Sequence, residues 1–466
     1  MSPIATLAPD QLLEEKIRAR TAQIAIIGIG YVGLPLAAAF AQVGFPTVGY
    51  DLDTAKVDAI NRGVSYIPDV ETELVSKLVA EKTLRASTND SVLEDADVIF
   101  ICVPTPFDRM KAPDLGMVRD ASKTIAKHLR AGQLVILQST TYPGTTEEFV
   151  LPILETSGLK AGRDFYLAFS PERIDPGNQE WSAHNMPKVL GGLDPRSTEL
   201  ARELLVTLTP QVHLVSTPRA AEMTKLLENI FRSVNIALVN ELALLCERMD
   251  INIWEVIDAA KTKPFGFMPF YPGAGVGGHC IPVDPYYLSW KAREFDFFTK
   301  FIELAAEVNQ SMPFHVVSLI TDAVNRDGKA MDGAKVLVLG VAFKRDIDDA
   351  RNSPAERVIE LLLARRAEVS FHDPYVEHFH IGDTVFHRAP RVLKGSALTP
   401  DTVRAADVVV IITGHRNVDY GMVLANAKRV VDTTSVTAAL PHNENVVRLG
   451  ALSPTRPIDL GAPSAV

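Results

Sequence analysis

The segment from Gln23 to Gln42, QIAIIGIGYVGLPLAAAFAQ, constrains the fold more than any other. A short apolar run ends in Gly28-Ile29-Gly30-Tyr31-Val32-Gly33 and passes directly into a helical pattern. Each glycine has its own reason at such a junction: Gly28 for the tight turn, Gly30 for backbone approach to a pyrophosphate, Gly33 for close helix–strand packing. The helix would offer free N–H groups and its positive end to an anion. Glycine spacing alone is weak evidence, but the next apolar run, PTVGYD, ends in Asp51, 18 residues beyond Gly33. A carboxylate there would accept hydrogen bonds from an adenosine ribose and repel a 2′-phosphate, so NAD is expected rather than NADP. Tyr31 and Val32, inside the turn, join Gly28, Gly30, Gly33 and Asp51 as cofactor-binding candidates. A tight turn with no ligand is the plainer alternative.

The same alternation continues downstream. DVIFICVP, GQLVILQST and FYLAFSPER read as further buried strands, with amphipathic stretches between most of them. Repeated strand–helix units imply a parallel sheet covered on both faces. From about Ala220, AAEMTKLLENIFRSVNIALVNELALLCERM has helical spacing and neither glycine nor proline, so a long helix is expected, followed by a second one over INIWEVIDAAKT. Near Gly333 the alternation resumes with AKVLVLGVAF, PAERVIELLLARR, AEVSFHDP, ADVVVIIT and KRVVDTT. The expected class is α/β, with two Rossmann-like doubly wound parallel-sheet domains joined by a long central helix. The expected domains are residues 1–215, 216–318 and 319–466. The tail SPTRPIDLGAPSAV reads as frayed.

With 466 residues, two or three domains are expected. A net charge of −10 argues against nucleic acid or an anionic membrane as the main partner. Three sparse cysteines, Cys102, Cys246 and Cys280, make no disulfide framework and suggest a reducing compartment. The N-terminus is charged and helix-like, without the apolar core of a secretory peptide, so a cytoplasmic location is expected. Thr21 to Tyr50 carries no charged residue, yet its five glycines and two prolines fit strand–turn–helix better than a membrane span.

One stretch does not read as ordinary structure: PGAGVGGHCIPVDPYY, Pro272 to Tyr287. A buried structural thiol is one reading. A metal site drawing on His279, Cys280 and Asp284 is another, although no CxxC or HxxxH spacing supports it, and no metal is expected. The third is a nucleophilic Cys280 on a loop whose glycines bare the backbone. On the long helix, Lys225 and Asn229 share a face, whereas Leu226, Leu227, Ile230, Phe231 and Val234 should bury on the opposite side. The Lys/Asn pair is either solvated or poised to stabilise an oxyanion. In the C-terminal region, Gly340 alone does not make a second dinucleotide fingerprint. Lys344, Arg345 and Arg351 would suit phosphates, or form a solvated cluster with Asp346, Asp348 and Asp349.

Taken in order, GIGYVGLPLA, Asp51, CVPTP, QSTTYPGT, SPER, EMTKLLEN, GVGGHCIPVDP and AFKRDIDDAR resemble the nucleotide-sugar dehydrogenases that oxidise UDP-sugars at C6, over nearly the whole chain. The resemblance implies two NAD per turnover. It implies that Cys280 attacks the C6 aldehyde, giving a thiohemiacetal and then a thioester that water hydrolyses. It implies that Lys225 and Asn229 hold oxyanions, that Asp284 and Thr140 position a water, and that Glu172 is the base for hydrolysis. Val103 and Thr105 would border the nicotinamide, and Arg351 would reach the cofactor. Tyr271, Gly275, Gly277 and Lys344 would bind the UDP part, together with Glu172, Lys225 and Asn229 on the substrate. The family's UDP-glucose enzymes typically carry serine and an acidic residue where this chain has His279 and Pro176. That departure, with PVDPYYL, resembles the branch acting on UDP-N-acetylhexosamines, most of all UDP-N-acetylglucosamine enzymes of surface-polysaccharide synthesis. Tyr286 would line an acetamido pocket, and a homodimer or higher homo-oligomer about the long helix is implied.

Overall fold

The computed structural model describes residues 8–108, 110–174, 180–181, 185–382, 390–441 and 445–451. Pro176 and the SPTRPIDLGAPSAV tail lie outside them. The chain divides into two compact units, Met1–Glu228 with Tyr286–Phe298, and Asn229–Pro285 with Thr299–Val466.

The first unit is built on β1 (Ile24–Ile27), β2 (Thr47–Tyr50), β3 (Leu84–Ser87), β4 (Val98–Ile101), β5 (Leu134–Leu137), β6 (Tyr166–Phe169), β7 (Lys188–Gly192) and β8 (Val212–Leu214). They form one sheet in the order β3-β2-β1-β4-β5-β6-β7-β8. The reversal of strand order beside β1 is the switch point of a doubly wound sheet, where loops open at the carboxyl ends of strands. β1, β4 and β5 are buried at every position, as their unbroken apolar runs require. Phe40, Phe45 and Phe100 pack edge-on and tilted above β1. One pair departs from the expected parallel pattern: β6 meets β7 antiparallel through Ala168–Gly192 and Phe169–Gly191. The segment Thr21–Tyr50 is strand, turn, helix and strand.

In the second unit, β9 (Lys335–Leu339), β10 (Glu368–His372), β11 (His378–Ile381), β12 (Arg391–Lys394), β13 (Val408–Ile411), β14 (Val430–Asp432) and β15 (Val446–Arg448) make a smaller version of the same design. Five run parallel in the order β10-β9-β13-β14-β15, and β11 pairs with β12 as an antiparallel ribbon. Two helices pack beside this sheet: Pro354–Ala364, whose N-terminus is capped by the Ser353 side chain, and Lys300–Arg326. The latter contains Pro313, which cannot donate to the Asn309 carbonyl one turn earlier.

The long helix, Pro218–Arg248, spans 31 residues. Its faces are inverted relative to the sequence expectation. Leu226 is fully buried, but Leu227 and Phe231 are 58% and 46% exposed, whereas Lys225 and Asn229 are buried. The reason is a polar stripe at helical spacing, Glu222, Lys225, Asn229, Ser233 and Asn240, which turns inward. Met223, Leu227, Phe231, Leu238, Leu242 and Leu245 consequently line the outside. By length and composition alone this helix could cross a membrane. Its buried Glu222 and Asn240, each satisfied by partners within its own unit, are groups that a lipid-facing helix would have to desolvate at high cost.

Candidate active site

The first glycine turn has the geometry the fingerprint demands. Gly28 sits at φ +86, and a Cβ added to Gly33 would lie 1.9 Å from the Gly28 carbonyl oxygen, so helix and strand can approach this closely only without side chains. At Gly30 an added Cβ would meet nothing within 4 Å, which leaves open space over the backbone. Asp51 stands at the end of β2 and is fixed there: Oδ2 accepts from Ile29 N (3.0 Å) and Oδ1 from Asp53 N (3.0 Å). An open glycine cradle, a helix N-terminus and a fixed carboxylate together fit the pyrophosphate and ribose of a dinucleotide. Tyr31 is exposed and Val32 half-buried beside them. On the neighbouring loops, the Val103 carbonyl accepts from Ser139 Oγ (2.7 Å) and Thr105 Oγ1 donates to the Thr140 carbonyl (2.7 Å). Tyr66 has no motif to mark it in the sequence; its phenol donates to the Ile29 carbonyl, and burial with Asp51 and Asp53 nearby raises its pKa.

Beyond β6 lies a buried carboxylate, Glu172, surrounded by donors. Oε1 accepts from Arg173 N (2.8 Å) and Ile174 N (3.1 Å). Oε2 accepts from Gln138 Nε2 (2.8 Å) and Lys188 Nζ (3.3 Å). Burial opposes its charge, but Lys188, the two backbone donors and Lys225 outweigh it, and Glu172 titrates below the ordinary glutamate range. Lys225 and Lys188, in the same unit, are themselves buried. Cys102 shares the locality; burial first, and Glu172 second, push its thiol far up, so it is an inert neutral group. Glu222, one turn before Lys225, receives Gly144 N (2.5 Å), Thr146 N (2.9 Å) and Thr146 Oγ1 (2.7 Å). That contact ties the start of the long helix to the loop carrying Thr140. Lys188 has no local motif to mark it; Gln138 and Glu222 open the QSTTYPGT and EMTKLLEN runs, but sequence reasoning gave none of the three a role.

The second unit holds Cys280. The thiol-bearing residue is half-buried, and its carbonyl accepts from Asp284 N (2.8 Å), which places it one turn before the helix Asp284–Ala292. A helix N-terminus favours thiolate over thiol. Asp284 is buried and Oδ2 accepts from Asn229 Nδ2 at 2.5 Å, joining two of the expected site residues directly. The glycines before Cys280 have a packing role that the sequence did not suggest. An added Cβ on Gly277 would lie 2.7 Å from Phe343 Cβ and 2.9 Å from Pro354 Cδ, and one on Gly278 would lie 3.0 Å from the Phe343 ring. Gly278 N also donates to the Arg351 carbonyl (3.0 Å), and Asn352 Nδ2 to the Gly278 carbonyl (3.0 Å). The cysteine loop is therefore stitched to the turn after β9.

Other expected residues fall as follows. Arg351 is clasped by Asp349 through Nε (2.9 Å) and Nη2 (2.6 Å), with His279 Nδ1 at 3.4 Å. Lys344 is half-buried and Arg345 exposed. Tyr271 stacks on Trp254 at 5.8 Å, and Gly275 at φ +132 approaches the Asn309 carbonyl. Tyr286 belongs to the first unit, where Lys111 Nζ lies 4.2 Å from its ring centroid. No cluster of three metal-ligating side chains occurs among the described residues. In the C-terminal sheet Asp373 is placed as Asp51 is in the first, but its Oδ2 already accepts from Val341 N (2.7 Å), Ala342 N (3.0 Å) and His415 Nε2 (3.1 Å).

Comparison with known proteins adds a family to this geometry. Residues 22–209 match the NAD binding domain of the UDP-glucose/GDP-mannose dehydrogenase family, 219–311 its central domain and 337–439 its UDP binding domain. The chain is 38% identical over 356 residues to UDP-N-acetyl-D-glucosamine 6-dehydrogenase of Pseudomonas aeruginosa, covering 76% of this chain and 83% of that one. It is 37% identical over 395 residues to UDP-N-acetyl-D-mannosamine dehydrogenase of Pyrococcus horikoshii, covering 84% and 89%. The solved structure of the Pyrococcus horikoshii UDP-D-ManNAc dehydrogenase matches with a TM-score of 0.83 at 32% identity, over 92% of this chain and 100% of that one. The chain belongs to the UDP-glucose/GDP-mannose dehydrogenase family, and its activity is the NAD-dependent 6-dehydrogenation of a UDP-sugar.

Proposed function

We propose that the substrate is UDP-N-acetyl-D-glucosamine, oxidised at C6 to the uronate for surface-polysaccharide synthesis in the cytoplasm. The observation that carries the mechanism is Cys280 one turn ahead of the helix beginning at Asp284, with Asp284 paired to Asn229. When bound, NAD accepts the hydride that leaves C6 in each of two oxidations. Asp284 and Thr140 hold the water that takes the hydroxyl proton in the first. The Cys280 sulfur then bonds to the aldehyde carbon, and Lys225 and Asn229 donate to the oxygen as it gains charge. After the second oxidation a thioester remains. Water adds to its carbonyl carbon, Glu172 accepts the water's proton, and the C–S pair leaves on Cys280. Because all four acceptor directions of Glu172 are occupied, one donor has to give way for that proton. Arg351 and Thr105 serve the cofactor, and Tyr271, Gly275, Gly277 and Lys344 the UDP moiety.

The N-acetylglucosamine assignment rests on the GHCIPVDPYYL stretch and the Pseudomonas aeruginosa relative. The nearly equal identity to a mannosamine enzyme supports UDP-N-acetylmannosamine as the second reading. NADH formation with UDP-N-acetylglucosamine, UDP-N-acetylmannosamine, UDP-N-acetylgalactosamine and UDP-glucose decides between them. The highest kcat/KM is expected for the first; a clear preference for any other overturns the assignment. The outward apolar stripe of the long helix fits a homodimer or higher homo-oligomer. Leu238→Glu with Leu242→Glu should then lower the sedimentation mass, and an unchanged mass would exclude that face.

A further inference from the structure

Lys188 is an anomaly where it stands. It opens β7, a strand buried at every position, and is itself 2% exposed. A buried ammonium is costly unless it is paired, and removing a partner is costlier still. Among the described residues its ion-pair partner is Glu172. Glu172 does not need it for hydrogen bonding alone, since Gln138 already donates to Oε2 at the shorter distance of 2.8 Å. What Lys188 adds is charge.

We propose that Lys188 is a positioning residue for Glu172: its buried ammonium, 3.3 Å from Oε2, keeps that carboxylate ionised and aimed while the acyl-enzyme is hydrolysed. This rests on the reading of Glu172 as the base in that step. The groups facing Glu172 come from four elements. They are Lys188 on β7, Lys225 on the long helix, Gln138 after β5 and the neutral Cys102 after β4. Burial by itself disfavours the ionised form of Glu172, and of the attractions that oppose burial Lys188 is the strongest. The contact is also the longest of the four to Glu172, so it is the one that yields when Oε2 takes the water's proton. The proton leaves Glu172 for solvent after the acid departs.

The test titrates Glu172 itself and the reaction in parallel. Infrared difference spectra against Glu172→Gln report its protonated carboxyl band in wild type, Lys188→Met, Lys188→Gln and Lys188→Arg. Acid formation is followed over the same pH range. In Lys188→Met and Lys188→Gln the band should appear at a pH higher by about one unit or more. The acid limb of kcat should move up with it, while Lys188→Arg keeps both near wild type. Lys188→Gln retains a donor without charge, so it answers the question if the methionine variant does not fold. A band that stays in place overturns the role of Lys188. A band that moves while the acid limb stays overturns Glu172 as the base, and the proposal with it. The band is measured without turnover, so failure of the substrate reading is told apart from failure of this one.

Discussion

Cys280 is held one turn before a helix, next to a chain segment whose Asp284 and Asn229 are already joined. If its sulfur carries the aldehyde, Cys280→Ser should form acid several orders of magnitude more slowly, because an alkoxide is a poor substitute for thiolate and a poorer leaving group. Acid product measured by chromatography at near wild-type rate would sink the covalent route. At this scale the sequence displayed what it could. Cys280 stands in a glycine-rich run, Lys225 and Asn229 share one helix face, and Asp51 sits at a countable distance from a glycine turn. The roles of Lys188 and of Gln138, the first residue of QSTTYPGT, were not legible, because they arise only when β5 and β7 bring both side chains to the same carboxylate oxygen. A single lysine at the head of KVLGG looks like the solvated end of a strand until the sheet buries it.

Elements were legible where an apolar run is unbroken, and burial alone was not enough: β7 (KVLGG) is buried at every position and was not read as a strand. The fully apolar strands β1, β4, β5 and β13 could be read directly, whereas β3 (LRAS) and β8 (VHL) could not. Both lie at sheet edges, where alternation and hydrophobicity are weakest. The long helix is legible but its faces are not, since the ordinary rule turns apolar residues inward. A helix whose inner face carries a polar network reverses that rule: Asn240 Nδ2 bonds Asn309 Oδ1 (3.0 Å), Asn240 Oδ1 accepts from Gly273 N (3.0 Å), and Asn309 Nδ2 reaches the Ser233 carbonyl (3.1 Å). The cysteine loop is thus fastened at Gly273 and again at Gly278. Gly277→Ala, whose Cβ would intrude to 2.7 Å from Phe343 and 2.9 Å from Pro354, should displace Cys280 without touching the first unit. A kcat loss of about tenfold or more is expected, with NAD affinity unchanged. An alanine variant with normal kcat would show that the loop tolerates the shift.

Across the whole molecule, one electrostatic device is used twice. In the first sheet Asp97, just before β4, accepts from Gln23 N (2.9 Å) and pairs with Lys16 and Arg130. In the second, Asp407, just before β13, accepts from Lys335 N (3.0 Å) and pairs with Lys329 and Lys428. Each carboxylate joins the start of the unit's first strand to the start of its neighbour. For both, burial raises the pKa but the surrounding donors and ammonium groups more than offset it. Asp407 is brought down to about 2 from its ordinary 3.8. A carboxylate lowered on folding stabilises the protein above its unfolded pKa, and that stability is lost as pH falls through the folded value. The full linkage would be roughly 2.5 kcal/mol. Lys329 and Lys428 are half in solvent, so Asp407→Asn should cost about 1–2 kcal/mol near neutrality. The difference from wild type should close between pH 3.8 and about 2, read from urea unfolding of the second unit's transition. A gap that persists undiminished to the acid end would mean that the Asp407→Asn variant loses packing rather than charge, and that the repeated aspartate is a hydrogen-bonding device alone.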